Sequence, residues 1–432
     1  MINPFIPQTS PVPARASASA VTLSICVPTR DRAPFLEALL PRIKAWSAGW
    51  DFSYEIVICD DCSTDATPDV AERFRAEGLP IRYFRQEADK GIANILGALH
   101  RAGGEYVVYL ADDDLLVPEA LADNIRFMQA NPEIRACYTP WSDYDDVREI
   151  EGPAAYIQPD EVKVFNPNDE TDLIGYIVEH KVFPEIAVYR ADALSRIVST
   201  PQFCHWSFAQ LATIAASGPV AFRSASYYRS VTLSPVTPNH TRRSTEQALV
   251  DWDSYRGGLE YMVFSLLRRR NIVINEDLRL SFRNLIDHFV EQRMRAAMRL
   301  WLQRKDYVRA YEILSRVCYF DPGAIATFEH LENLPLLLTA QTLARFANAV
   351  PELERLLVAG VEDGQSLGQL LRDAGLDRRI LVIPPPANPS PKNLHASLVF
   401  IGSEEMRQSF LDQGYAPGLI ISERDIGASV LL

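Results

Sequence analysis

The chain has 432 residues, of which 47% are hydrophobic and 23% charged, a balance that excludes wholesale disorder and calls for two or three globular domains. No uninterrupted apolar run reaches the ~18–20 residues of a membrane span. Forty-three basic against 56 acidic residues leave a formal charge of −13. A nucleic-acid partner would therefore need a local basic patch that the sequence does not show, and an anionic ligand would need a bridging cation. Six cysteines are too few for a disulfide framework. Cys59 and Cys62 have no second pair at zinc-site spacing, so they read as strand-end and loop residues. Residues 1–20, rich in Pro, Ser and Ala, lack the apolar core of a secretory signal. They read as a flexible tail on a cytoplasmic protein.

From Val21 the pattern turns regular. Apolar, β-branched runs at Val21–Val27, Tyr54–Cys59, Ile81–Phe84 and Glu105–Leu110 predict buried strands. Helical periodicity at Pro34–Trp46, Thr67–Ala76 and Ile92–Arg101 alternates with them. This is the order of βαβ units on a mostly parallel sheet, whose ligands bind beyond the carboxyl ends of the strands. A helix over Glu119–Ala130 and a strand over Ala136–Thr139 follow. A polar stretch then runs to about Asp172. A strand at Ala187–Tyr189, a helix at Phe203–Ala216 and a short extended piece at Val220–Phe222 complete this part. Ser230–Ser244, with two prolines, reads as a loop or lid. Residues 246–350 have helical periodicity, with Leu285–Leu302 and Tyr307–Cys318 as a candidate antiparallel pair. Residues 351–432 form a small Rossmann-like α/β unit. Its Gly360, Gly364 and Gly368 lack the dinucleotide spacing and read as packing glycines. The domains expected are thus a tail (1–20), an α/β domain (21–245), a helical region (246–350) and the small α/β unit (351–432).

Asp112-Asp113-Asp114, at the end of the fourth strand, is the strongest chemical signal. Three adjacent carboxylates repel one another unless solvent or a cation offsets the charge. A hard ion, Mn²⁺ or Mg²⁺, takes one or two carboxylates together with phosphate oxygens. The other strand ends carry Pro28-Thr29-Arg30-Asp31 and Asp60-Asp61-Cys62-Ser63-Thr64-Asp65. Lys90-Gly91-Ile92-Ala93-Asn94 precedes the helix before the triplet.

In this order the segments PTR, DDCSTD, DKGIAN and GEYVVYLADDD resemble the family 2 glycosyltransferases of the GT-A fold, over about residues 21–228. The resemblance implies an inverting, metal-dependent enzyme acting on a nucleotide-diphosphate sugar. Pro28, Thr29 and Arg30 would line the nucleotide pocket, and Asp60 and Asp61 would face base and ribose. Lys90 and Asn94 would border the nucleotide. Asp112, Asp113 and Asp114 would share ribose and metal contacts. Ala111 stands where many relatives carry Asp, which leaves the metal register within the triplet open. Relatives usually supply the general base from a Glu-Asp pair opening a helix. Here Cys204-His205-Trp206 stands in that place, making His205 the candidate base, with Asp143, Asp145 and Asp146 as alternatives. His240 is a candidate metal ligand, and Arg242 and Arg243 are candidate diphosphate binders on the lid. Trp141, Tyr144, Trp206, Tyr227 and Tyr228 could stack on sugar faces. Arg268-Arg269-Arg270 reads as a solvated helix end.

The function expected is sugar transfer to a glycan, lipid-linked or protein acceptor, in bacterial surface polysaccharide or glycoconjugate synthesis. The enzyme would be cytoplasmic or peripheral at the inner face of the membrane. The helical and C-terminal regions would present the acceptor or support homo-oligomers. The alternatives are a non-catalytic scaffold on a GT-A-like fold and a sugar nucleotidyltransferase. The latter usually opens with a Gly-rich basic loop, which PTRDRAP lacks.

Overall fold

Leu23, Ser24, Ile25, Cys26 and Val27 are all fully buried, as a strand covered on both faces requires. In the computed structural model, which describes residues 21–198, 203–236, 249, 252–324 and 333–430, this segment is β1 (Leu23–Thr29). It is followed by α1 (Ala33–Ser47), β2 (Tyr54–Asp60), α2 (Thr67–Ala76), β3 (Ile81–Arg85), α3 (Ile92–His100) and β4 (Tyr106–Tyr109). β1, β2, β3 and β4 are mutually parallel where they pair. The alternation predicted from the sequence is therefore a doubly covered parallel sheet. Leu36, Leu39, Leu40 and Ile43 of α1 pack into the core that also holds Leu23, Ile25 and Val27. Each such side chain contributes about 1.5–3 kcal/mol through its burial.

The chain then changes direction. It runs through β5 (Leu115–Leu116), α4 (Pro118–Ala130), β6 (Ala136–Tyr138), β7 (Trp141–Asp145), β8 (Ile150–Ala154) and β9 (Val162–Phe165). α5 (Glu170–Glu179), β10 (Ala187–Arg190), α6 (Ala191–Leu194), α7 (Trp206–Ala215), β11 (Val220–Arg223) and β12 (Tyr228–Leu233) follow. Among the described residues the main sheet has the order β3-β2-β1-β4-β10-β6-β11-β9, and a second sheet has the order β5-β12-β7-β8. β10 enters antiparallel to both β4 and β6. The polar stretch of the sequence thus holds three strands and a helix. β8 and β9 are edge strands with mostly exposed side chains, so they lack a buried apolar signature. Residues 230–233, expected to begin a loop, extend β12. Residues 237–244 of that segment lie outside the described residues.

Packing divides the chain between Val290 and Glu291, inside a long helix. The first unit also contains α8 (Trp252–Arg269) and the first half of α9 (Glu276–Gln303). The second unit takes the rest of α9, then α10 (Tyr307–Phe320) and α11 (Leu334–Ala349). It continues with β13 (Arg355–Ala359), α12 (Gly364–Asp373), β14 (Leu381–Ile383), β15 (Ser397–Ile401) and β16 (Ile420–Ser422). Its four strands pair in parallel in the order β14-β13-β15-β16. Gly360, with φ of +70°, turns the chain out of β13. A Cβ on Gly402 would lie 2.2 Å from the Gly360 carbonyl oxygen, so two backbones touch there.

At the amino-terminal edge of the main sheet, Glu55 gathers a buried polar knot. Its Oε1 accepts from Ser24 Oγ at 2.6 Å and from the Gly103 N–H at 2.5 Å, and Arg82 Nη1 lies 3.2 Å from Oε2. Gly104 must pass close by, since an added Cβ would meet Ser24 N and Oγ at 2.8 Å. Gly104→Ala is expected to destabilise the first unit by about 1–3 kcal/mol through overpacking. Thermal unfolding should register a drop of several degrees; an unchanged melting temperature would mean that β4 can shift without loss.

Candidate functional site

The strand ends that the sequence marks as acidic meet on one rim. Thr29, the last residue of β1, donates its hydroxyl to Asp112 Oδ2 at 2.6 Å. Arg32, at the start of α1, lies between two members of the triplet: its Nε is 3.4 Å from Asp112 Oδ1 and its Nη2 is 2.8 Å from Asp113 Oδ2. The guanidinium is also stacked 4.2 Å over the Phe35 ring, which fixes its plane. Burial pushes the Asp112 carboxyl up to about 7; Arg32 opposes the rise and Asp113 adds to it. Asp114 faces the second sheet. The Tyr228 hydroxyl donates to its Oδ2 at 2.7 Å and the Val231 N–H to its Oδ1 at 2.8 Å. The triplet therefore sits where β4 leaves one sheet and β5 begins the other.

The end of β2 supplies the neighbouring wall. Asp60, fully buried, accepts from the Ser63 N–H at 2.9 Å, from Ser63 Oγ at 2.5 Å and from the Tyr83 hydroxyl. Asp61 accepts the backbone N–H of Lys90 at 2.7 Å and of Gly91 at 2.9 Å. Both carboxylates thus hold loops in place. Gly91 has φ of +53°, a conformation glycine adopts without strain. Asp31 and Cys62 also have positive φ, 50° and 65°. Asp31 is held by the Thr64 N–H and by donating its own N–H to Ser63 Oγ, and Cys62 donates its thiol to the Glu87 carbonyl oxygen. Pro28 is half-buried. Arg30 is paired with Asp89 on the outer rim, and Lys90 is exposed. Asn94, expected at the nucleotide, is instead 3% exposed; it donates to the Cys59 carbonyl oxygen at 2.7 Å and accepts from Gln86. Its amide ties α3 to the end of β2 and is spent there.

His205 caps α7 and is 7% exposed. Its Nδ1 is 2.8 Å from Ser207 Oγ and its Nε2 is 3.2 Å from Glu185 Oε1. Tyr255, Phe208 and Phe183 wall the ring at centroid distances of 4.8, 5.8 and 6.4 Å. Of the alternative carboxylates, Asp145 accepts from the N–H groups of Val147 and Arg148, and Asp146 is 3.0 Å from Arg42. His240, Arg242 and Arg243 lie outside the described residues. Tyr227 is fully buried and Tyr228 3% exposed, so both serve the core and the triplet rather than an open sugar face. Sequence reasoning missed Arg32 and Glu185. Arg32 lay one residue past the recognised strand-end motif, and Glu185 sits in an otherwise apolar run without local signal.

A divalent ion fits this donor set. Hard carboxylate oxygens with remaining lone pairs suit Mn²⁺ or Mg²⁺, and Asp113 keeps 30% of its side chain exposed. Among the described residues no three His, Cys, Asp or Glu form a ready ligand shell; an ion held by one or two carboxylates would complete its coordination with phosphate oxygens and water. The raised Asp112 carboxyl also has a stability consequence. The folded state holds this proton more tightly than the unfolded chain does, whose carboxyl titrates near about 4. Stability is thus greatest below that value and falls as pH rises through about 7. Asp112→Asn removes the buried charge. Without added metal it is expected to melt a few degrees above the wild type at pH 8, with the gap closing toward pH 5. A lower melting temperature at pH 8 would show that the Arg32 contact outweighs desolvation.

Residues 24–198 match the family model for glycosyl transferase family 2. Abequosyltransferase RfbV of Salmonella typhimurium is 30% identical over 155 residues, covering 35% of this chain and 46% of that protein. An uncharacterized glycosyltransferase of Haemophilus influenzae is 29% identical over 119 residues, 27% of this chain and 38% of that protein. The chain thus spans under half the length of these relatives. The crystal structure of S. aureus TarS 1-349 in complex with UDP-GlcNAc superposes with a TM-score of 0.46 at 17% identity, covering 74% of this chain and 88% of that one.

Proposed function

We propose that this chain, whose residues 24–198 match the model for glycosyl transferase family 2, moves a sugar from a nucleotide-diphosphate donor to an acceptor hydroxyl, with inversion and with Mn²⁺ or Mg²⁺ bound. One observation carries the reading: Thr29 at the end of β1 and Arg32 at the head of α1 reach Asp112 and Asp113 within a run of three adjacent carboxylates at the end of β4. That excess of negative charge suits a site completed by a cation and a diphosphate. Asp112, Asp113 and Asp114 are the residues to hold the ion, with Asp112 also positioned by Thr29. When bound, the ion would neutralise charge developing on the leaving diphosphate. The protein's own contribution is a rigid, largely dry wall. Asp60 and Asp61 fix the loops that border the nucleotide, and Tyr228 and Val231 fix Asp114, so little reorganisation accompanies the reaction.

Donor hydrolysis across uridine-, guanosine-, cytidine- and thymidine-diphosphate sugars with Mn²⁺ tests the activity directly. Asp112→Ala and Asp114→Ala are each expected to lower turnover at least about 100-fold. Full activity in both would refute the site, and calorimetry showing no metal-dependent binding of UDP or GDP to the wild type would favour a scaffold.

The acceptor proposed is a lipid-linked glycan destined for bacterial surface polysaccharide, met by an enzyme peripheral at the inner face of the membrane. No helix among the described residues is long and apolar enough to cross a membrane. The α8–α9 hairpin supports surface attachment. Tyr261, Phe264, Ile272, Val273 and Leu280 are all exposed, Val273 by 83%. Residues 261–275 hold three consecutive arginines, Arg268 to Arg270, and no acid. The two helices line a cavity of about 380 Å³ whose wall holds Val263, Phe264, Phe282 and Ile286 together with Glu260 and with Arg256 and Arg283, both paired with Asp287. Exposed apolar side chains next to cationic ones suit an anionic lipid surface. Val273→Glu is expected to abolish co-sedimentation with phosphatidylglycerol vesicles while leaving donor hydrolysis in solution unchanged. Equal sedimentation of variant and wild type would remove the hairpin from this role.

A further inference from the structure

Deepening the transfer reaction proposed above, on which this inference rests, we propose that Glu185 is the general base that takes the proton of the attacking hydroxyl, and that His205 is its positioning residue. The topology brings Glu185 to the triplet. β10 pairs antiparallel with β4 through Tyr189↔Val107 and Arg190↔Tyr106. Continued toward the start of β10, that register sets Glu185 level with Ala111, the residue before Asp112. The antiparallel strand thereby delivers a carboxylate to the edge where its parallel neighbours end. Tyr109 reports the same proximity. Burial pushes its phenol up first, then Asp114, Asp113, Asp112 and Glu185 add to the rise.

The division of labour follows from exposure and from occupied atoms. His205 is 7% exposed, and both of its ring nitrogens are engaged, one with Ser207 and one with Glu185. No nitrogen is left to meet an acceptor. Glu185 is more open, with 27% of its side chain exposed. Its Oε1 faces His205, and among the described residues its Oε2 has no partner within hydrogen-bond distance. With Ser207 donating to Nδ1, the imidazole carries its proton on Nε2 and directs it at Oε1. That contact orients the carboxylate and leaves Oε2 for the substrate. Among the described residues, Tyr109 of β4, Tyr189 of β10 and His205 at the head of α7 are titratable groups facing Glu185.

In the step, the acceptor oxygen forms a bond to the anomeric carbon as its proton passes to Glu185 Oε2. The bond from that carbon to the diphosphate oxygen breaks, and its electron pair leaves on the diphosphate. A base on the face opposite the leaving group is what inversion needs.

The test combines Glu185→Gln, Glu185→Asp and His205→Gln, with the donor sugar that the wild type hydrolyses fastest. Calorimetry with UDP or GDP plus Mn²⁺ reads donor-site integrity, and turnover reads the base. Glu185→Gln is expected to lower kcat about 100-fold or more with diphosphate affinity within about twofold of wild type. Glu185→Asp should recover part of the rate. His205→Gln should lower kcat about tenfold and displace the acidic limb of the kcat–pH profile, which a purely structural contact would leave in place. Retention of half the wild-type turnover by Glu185→Gln overturns the assignment, and so does a pH profile unmoved by His205→Gln. Failure of the wild type itself to bind diphosphate with Mn²⁺ would instead sink the underlying transfer reaction.

Discussion

Three aspartates in sequence, half withdrawn from water, set the central constraint on this domain. They turn in different directions: Asp112 to Thr29 and Arg32, Asp113 to Arg32, and Asp114 to β12. Like charges at such separations repel strongly in a medium of reduced dielectric, and dispersing the three side chains is how the fold tolerates them. Burial still raises the Asp112 carboxyl to about 7 against the pull of Arg32, an imbalance between desolvation and charge pairing. The surrounding architecture follows from holding that imbalance in one place. Parallel strands deliver loops to a common edge, and the loops are pinned by Asp60, Asp61 and Asp31 rather than by apolar packing.

Stability and chemistry are separated along the same strands. At the amino-terminal edge Glu55 is satisfied by Ser24, Gly103 and Arg82, a closed network that needs no ligand. At the carboxyl edge the buried Asp112 has Thr29 and Arg32 as partners, yet desolvation still raises its carboxyl. Such partial satisfaction is expensive for folding and characteristic of sites that await a charged partner. The apolar middle of β1, β2 and β4 joins the two edges and keeps their spacing fixed.

The sheet was legible because buried parallel strands leave an unmistakable trace: VTLSICV, YEIVIC and EYVVYL are apolar on both faces and stop at Pro or Asp. β7, β8 and β9 left none: β8 and β9 are edge strands, which can be polar and can even hold Gly152 and Pro153, and β7 beside β8 reads WSDYD without an apolar run. The helical middle reads from its periodicity as one region between 246 and 350, yet packing divides the chain inside α9. Periodicity reports local helix, not which core a helix joins. The triplet and DDCSTD announced a site. The tasks of individual residues were hidden in tertiary contacts: Asn94 is turned into the sheet, and Arg32 reaches over Phe35 to the aspartates. Glu185 is the clearest case, because its place depends on the register of one antiparallel strand, which no local pattern encodes.

Two rim residues, Asp31 and Cys62, hold a left-handed backbone that side chains with a Cβ adopt at about 1–2 kcal/mol each. Both sit where the loop is tethered on either side by hydrogen bonds. Drift at these positions is consequently channelled. Glycine or asparagine relaxes the backbone, while valine, isoleucine or threonine compounds the tension. The curvature of the pocket wall is therefore inherited through backbone tolerance as much as through the identity of any group that meets a sugar nucleotide.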